Sequence, residues 1–210
     1  MTKADEANLA TSGDATALND GPRELPDPKT LRALTHPVRL ALLEALTLEG
    51  PLTATAAGEL IGESPTTCSF HFRQLAKYGF VEEAGNGPGR QRPWKMAHIG
   101  MRFSDVHEDP EMTVAAKSLE RMVLDRALNR LQNFYNTRSS YPKAWQESSG
   151  SYENILMISL EELQALEEEF MAIFNQYRVR LADKTLRPAD SLPVEVLLFA
   201  YPMRLPEVPS

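Results

Sequence analysis

The chain has 210 residues, a net charge of −7, 15 prolines, 11 glycines and a single cysteine. That length buries the core of one large domain or two small ones, one cysteine excludes an intramolecular disulfide, and the longest apolar run, around VLLFAY, falls far short of the roughly 20 residues a bilayer-spanning helix needs. The acidity argues against a nucleic-acid binder only on average, because residues 31–104 carry a net +2 between flanks of −3 and −6.

Residues 1–26 are polar, rich in alanine and aspartate and without apolar periodicity, so we expect a disordered acidic arm. This segment has neither the apolar core of a secretory signal nor the arginine bias of a transit peptide, and a cytoplasmic location is expected. Asp27-Pro28 is an N-cap followed by proline at the first helical position. His36-Pro37 starts a second helix, with Val38, Leu42, Leu43, Ala45 and Leu46 on one face, and Gly50-Pro51 stops it. TATAAGELIG predicts a short helix ending at Gly62, and Ser64-Pro65 opens another that runs to Tyr78. The turn between these two is about three residues long, as in a helix-turn-helix. FVEEA and WKMAHI then predict two strands joined by GNGPGRQRP, so residues 27–104 form a winged helix-turn-helix pattern.

In the remainder, 105–210, Asp109-Pro110 starts a helix to about Thr137, with Val114, Leu119, Met122, Val123, Leu131 and Phe134 as its apolar stripe. YENILMI and VEVLLFAYPM have the composition of strands. Between them, Ser159 and Glu162 make a capping box for a helix whose apolar side includes Leu163, Leu166, Phe170, Ile173, Phe174, Tyr177 and Leu181. The expected fold class is mainly α with a small β component (α+β): an N-terminal winged helix-turn-helix and a C-terminal helical or α+β region for dimerisation or regulation.

The stretch SPTTCSFHFRQLAKYGF raises a question of chemistry. Cys68 and His71 supply two zinc ligands at most, whereas a closed site needs four. Cys68 is therefore expected as a small buried hydrophobe and His71 as a partly buried hydrogen-bonding residue. The other face is unlike an ordinary solvated one. Ser64, Thr66, Thr67, Ser69, Phe70, Arg73 and Gln74 offer hydroxyls, an amide, an aromatic ring and a guanidinium, groups that read base edges in the major groove, while Lys77 suits a phosphate. Arg90 and Arg92 on the hairpin loop, with Lys95 behind them, are placed to meet the flanking DNA. The glycine-rich loop precedes a strand, not a helix, which excludes a phosphate cradle. His107, Glu108, Asp109 and Glu111 are explained by helix capping, so no metal site is expected.

LRALTHPVRLALLEAL followed by TAAGELIGESPTTCSFHFRQLAKYGFVEEAGNGPGRQRPWKM resembles the ArsR-like winged-helix transcriptional regulators over about 70 residues. The likeness is carried by Pro37-x-Arg39, Glu59-Leu60, Ser64-Pro65-x-Thr67-x-Ser69-x-His71, Leu75, Gly79 and the hairpin. The Cys-x-Cys pair of the family's founding metal sensors is absent, and His36 stands where Asp or Asn is usual. The resemblance implies a homodimeric regulator, a repressor by family habit, that reads duplex DNA at an inverted repeat with residues 65–78 in the major groove and the wing 85–93 beside it.

Trp145, Phe170, Phe174 and Tyr177 are candidates for a small-molecule effector pocket, core or dimer packing being the commoner use of such residues. No hydrolase, kinase, Walker A or paired C-x-x-C motif is present, and neither catalysis nor a cofactor is expected. Two rival readings are a ligand-binding or enzymatic C-terminal region with a DNA module appended, and a winged helix turned to protein contact.

Overall fold

The structure, a computed structural model, describes residues 23–85, 92–104 and 107–205. Its first element, β1 (Arg23–Glu24), pairs in parallel with residues 101–102, and Leu25 beside it is buried. Residues 23–26, expected in the arm, thus belong to the fold. Their pairing partner is remote in sequence, so local composition gives no hint of it. Residues 1–22 lie outside the described residues.

Helix α1 (Pro28–Leu34) is capped by the Asp27 carboxylate, which accepts the amides of Lys29 and Thr30 and the hydroxyl of Thr30. In α2 (Pro37–Glu49) the cap is His36, whose Nδ1 accepts the amide of Val38. The imidazole does the work of the usual Asp or Asn. Thr53 caps α3 (Ala54–Ile61), which ends on left-handed Gly62, and Ser64 caps α4 (Pro65–Lys77). These local signals place all four helices within a residue or two of where the sequence puts them.

The turn joining α3 to α4 is tight enough to exclude a side chain. A Cβ on Gly58 would sit 2.5 Å from the carbonyl oxygen of Glu63 and 3.6 Å from the Cys68 sulfur. Only glycine allows that approach, which brings α3 against α4 and buries Cys68 completely. With Leu31, Leu34, Leu42, Phe72 and Leu75, Cys68 forms the centre of the core.

After Gly79, β2 (Val81–Glu83) pairs antiparallel with β3 (Trp94–Met96). Trp94 also exchanges both backbone hydrogen bonds with Leu52, at 2.8 and 2.9 Å, and stacks on Phe72 with ring centres 5.7 Å apart. The hairpin is therefore bolted to the back of α4 and to the α2–α3 connection. Its tip, residues 86–91, lies outside the described residues. Strand β4 (Met101–Arg102) returns to β1.

Helix α5 (Pro110–Thr137) packs on α1, but of the stripe expected of it only Leu119 is fully buried. Met112, Ala115, Ala116, Leu119 and Ala127 are buried, whereas Val114, Val123 and Leu131 are exposed. The small alanines let α1 approach closely, which a pattern built on large apolar residues overlooks. Beyond it come a 3-10 turn at Arg138–Ser140, α6 (Lys143–Ser148) and α7 (Leu160–Ala182), the last opened by the expected Ser159–Glu162 capping box.

The C-terminal strands are not formed. Residues 152–158 and 194–203 take no strand assignment and make no backbone–backbone hydrogen bond among the described residues. A strand exists only by pairing, and among the described residues these segments have no pairing partner. Among the described residues no helix is long and apolar enough to cross a membrane.

Candidate nucleic-acid interface

Helix α4 presents two unlike faces. Cys68, His71, Phe72 and Leu75 are turned into the core, while Thr66, Phe70, Arg73 and Lys77 are exposed on the other side. Phe70 leaves 53% of its surface to solvent and lies edge-on to the His71 ring, at 5.1 Å. Arg73 reaches back one turn to donate to the Ser69 hydroxyl at 2.9 Å, and the Lys77 ammonium sits 5.7 Å from the Tyr78 ring centre.

Two residues of the expected base-reading set also have local partners. The Ser64 hydroxyl accepts the amide of Thr67 at 3.0 Å and shares a 2.8 Å hydrogen bond with the Thr67 hydroxyl. Both hold the start of the helix. The side chains turned outward are thus Thr66, Phe70, Arg73 and Lys77, with Ser69 half-buried beneath Arg73.

On the hairpin the expected basic patch is partly neutralised. Arg92 meets the Glu83 carboxylate at 2.6 Å and Lys95 meets Glu82 at 3.4 Å. The strand register sets Glu82 of β2 opposite Lys95 of β3, and Arg92, two residues before β3, reaches Glu83, proximities that a count along the sequence misses. These pairs are solvent-exposed and weak, so a stronger anion displaces them readily. Arg90 lies outside the described residues.

A second cationic feature escaped the sequence reading. Lys29, Arg32, Ala33, Arg39, Gln74 and Tyr78 line an open groove of about 230 Å³ along the edge of α4. Arg39 is fixed there by donating to the Ala33 carbonyl at 2.7 Å and to His71 Nδ1 at 3.4 Å. Arg32 is tied to Glu111 at 2.9 Å, and Lys29 makes no salt bridge among the described residues. Three helices contribute these groups. The only local signal was Lys29 and Arg32 three residues apart, on one face of a helix.

Electrostatics beneath the interface agree with a structural core. Burial, and then the nearby Glu63, push the Cys68 thiol above its ordinary value. Both effects favour the protonated thiol, and among the described residues no three His, Cys, Asp or Glu side chains are grouped as a metal site would need. Burial pushes His71 below its ordinary value, with His36 and Arg39 adding to the effect and Glu63 opposing it. The neutral ring can then accept from Arg39. The acid cluster before α5 is similarly occupied: Asp109 caps the helix, Glu111 holds Arg32, and a His107 ring nitrogen lies 2.7 Å from the Ser104 carbonyl.

The aromatic candidates for an effector pocket do not converge. Phe170 and Phe174 stack on α7 with ring centres 6.3 Å apart, and Tyr177 is exposed with the Arg180 guanidinium over its ring. Trp145 stands on α6 with no ring contact to them among the described residues.

Three helices, a glycine-enforced turn and a hairpin bolted behind the last helix are now in place, and the comparison with family models bears on the segment that builds them. Residues 34–84 match the helix-turn-helix domain family. No curated protein matches the chain. The matched segment runs from the end of α1 to the end of β2 and contains the whole exposed face of α4.

The helix-turn-helix domain is tied to the C-terminal half by cations. Arg126 and Arg130 of α5 both hold the Glu44 carboxylate of α2, at 2.7 and 3.1 Å, and Arg130 also pairs with Glu195. The Glu195 hydrogen bond, together with the two carboxylates, raises Arg130 above its ordinary value despite burial. At the end of α2, Lys184 donates to the Glu49 carbonyl and Arg187 to that of Leu48. Both cations satisfy carbonyls that the helix leaves unpaired and oppose its negative end.

Proposed function

We propose that this chain is a sequence-specific DNA-binding transcriptional regulator of the ArsR-like winged-helix type, acting as a homodimer in the cytoplasm, without catalysis or a resident cofactor. One observation carries this reading: the helix-turn-helix domain turns a face of Thr66, Phe70, Arg73 and Lys77 outward from its second helix, beside a groove of three cations.

In this reading α4 enters the major groove. Arg73 reads a guanine edge and Phe70 packs on a thymine methyl, while the hydroxyl of Thr66 serves either strand. Lys77, Lys29, Arg32 and Arg39 lie at the edge of that face and hold phosphates of the bordering strand, which sets register without carrying sequence. Gln74 lies between the two roles, in the groove itself. Arg92 and Lys95 exchange their carboxylates for phosphates on the flanking DNA. Two-fold symmetry then matches an inverted-repeat operator. Repression is the sign implied by the resemblance.

The test is duplex DNA binding by the full chain at salt concentrations from about 50 to 200 mM. Affinity falling steeply with salt, and lost in the combined Phe70→Ala, Arg73→Ala, Lys77→Ala variant while its helix content and melting midpoint persist, is the expected result. Equal binding by that variant would remove α4 from the interface.

A further inference from the structure

The C-terminal half is rich in apolar residues and buries almost none of them. Helix α7 is 23 residues long and has no buried residue. Isolated helices of that kind are held mainly by packing an apolar face, and here Leu160, Ile173 and Tyr177 are all exposed. Before it, Ile155, Leu156 and Met157 are exposed, Met157 to 97%. After it come Val194, Val196, Leu198, Phe199, Tyr201 and Met203, with Tyr201 at 74%. The same two stretches are the ones whose peptide groups make no backbone–backbone hydrogen bond among the described residues. Apolar side chains and bare backbone together are what an unpaired strand presents.

The amount of surface identifies the scale of what covers it. The chain exposes 16296 Å², against about 9,800 Å² for a compact monomer of its 23.5 kDa. Even with every residue outside the described set counted as fully extended, an excess of roughly 2,000 Å² remains. Buried on each of two copies, this is roughly 4,000 Å² in total, within the range of about 2,000–5,000 Å² typical of obligate homodimers.

We propose that residues 152–158 and 193–203, with the apolar side of α7, form an interface with a second copy of this chain, in which the two segments become strands of a sheet shared between protomers. A two-fold interface matches a surface to itself, and a segment apolar on both faces with unpaired backbone is its own complement by strand addition. Glu195 lies inside the second segment and is the residue that Arg130 links to Glu44 of α2. The shared sheet is therefore held directly to the helix-turn-helix domain and fixes the distance between the two recognition helices. This gives the homodimer of the proposed function its surface, and rests on that reading for its stoichiometry.

The experiment is light-scattering mass measurement and amide hydrogen exchange on the full chain and on its Leu156→Asp, Phe199→Asp double variant. Both side chains are exposed in the single chain, so the substitutions spare the monomer core. The expected wild-type mass is twice 23.5 kDa, with amides of 152–158 and 193–203 protected. The variant should be monomeric with those amides exchanging freely and its helix content retained. A wild-type monomer overturns the proposal, whether those amides are free or are protected by pairing within the chain. A dimer whose amides at 152–158 and 193–203 exchange freely also overturns it, placing the interface elsewhere. Either failure leaves the DNA reading standing if the protein still selects a DNA sequence, and that reading fails separately if a proven dimer binds no DNA.

Discussion

Arg73 and Lys77 are one turn apart on the same exposed face, yet the account gives them different work. Arg73 has a forked donor set and a Ser69 hydroxyl that steadies it at 2.9 Å. Replacing it with alanine should weaken the best site by roughly 1–3 kcal/mol and relax selectivity at one base position. Lys77→Ala should weaken all sequences alike and flatten the salt slope by about one unit. Lys29→Gln should behave as Lys77→Ala does if the groove meets phosphate as proposed. Competition titrations against a set of single-base operator variants separate the two classes, and identical behaviour of Arg73→Ala and Lys77→Ala would sink the division. His71 offers a test of the layer beneath. Its folded value is depressed, so as the pH falls below about 6.5 the unfolded chain takes up the proton first and stability drops, the full loss being reached below the folded value. His71→Gln should therefore show a shallower fall in melting midpoint between about pH 7 and pH 5 than the wild type, and parallel curves would contradict the assignment. That His71 is at least partly buried was legible from its place beside the apolar positions Cys68, Phe72 and Leu75 of its helix. That Ser64 and Thr67 bond each other was not, because a hydroxyl at a helix start serves a cap and a base edge equally well on paper.

At the scale of elements, the helix-turn-helix depends on one missing side chain. Gly58→Ala puts a Cβ against the Glu63 carbonyl oxygen at 2.5 Å, and the atom it meets is backbone, which cannot swing away. A loss of roughly 1–3 kcal/mol is expected, as for other overpacked sites, with DNA affinity falling further than stability because the angle between α3 and α4 changes. Chemical denaturation checks the first part, and a melting midpoint unchanged by the substitution would mean that the turn is looser than described. Helix boundaries were readable because their signals are local: Asp27-Pro28, Ser64-Pro65, Asp109-Pro110 and the Ser159–Glu162 box each settle one end of one helix. The strands were not. β1 depends on a partner beyond the hairpin, and the ion pairs of Arg92 with Glu83 and Lys95 with Glu82 depend on register. VEVLLFAYPM has the composition of a strand, and composition reports what a segment can pair as, without saying whether its own chain supplies the mate.

For the molecule as a whole, the charge asymmetry seen in the sequence becomes a division of labour. Acidic residues are concentrated in 105–210 and cations flank α4, so in the proposed function the C-terminal half faces away from DNA, while Glu44, Arg126, Arg130 and Glu195 link it to the helix-turn-helix domain. A double-mutant cycle of Glu44→Gln with Glu195→Gln should give a coupling of roughly 0.5–1 kcal/mol in stability, since both carboxylates share Arg130. Strict additivity would show that the link transmits nothing. The groove of Lys29, Arg32 and Arg39 and the bare C-terminal segments were both illegible in advance for one reason: each is assembled, or left unassembled, by residues far apart in the chain.

The central claim is that α4 reads sequence and that two copies do so together. Selection of the purified full chain against random duplex DNA at about 150 mM salt, with sequencing of the bound pool, tests it most directly. The account predicts an enriched inverted repeat whose half-sites are centred about 10 bp apart or a multiple of that. Folded protein that enriches no sequence, or that binds no duplex at all, would contradict it.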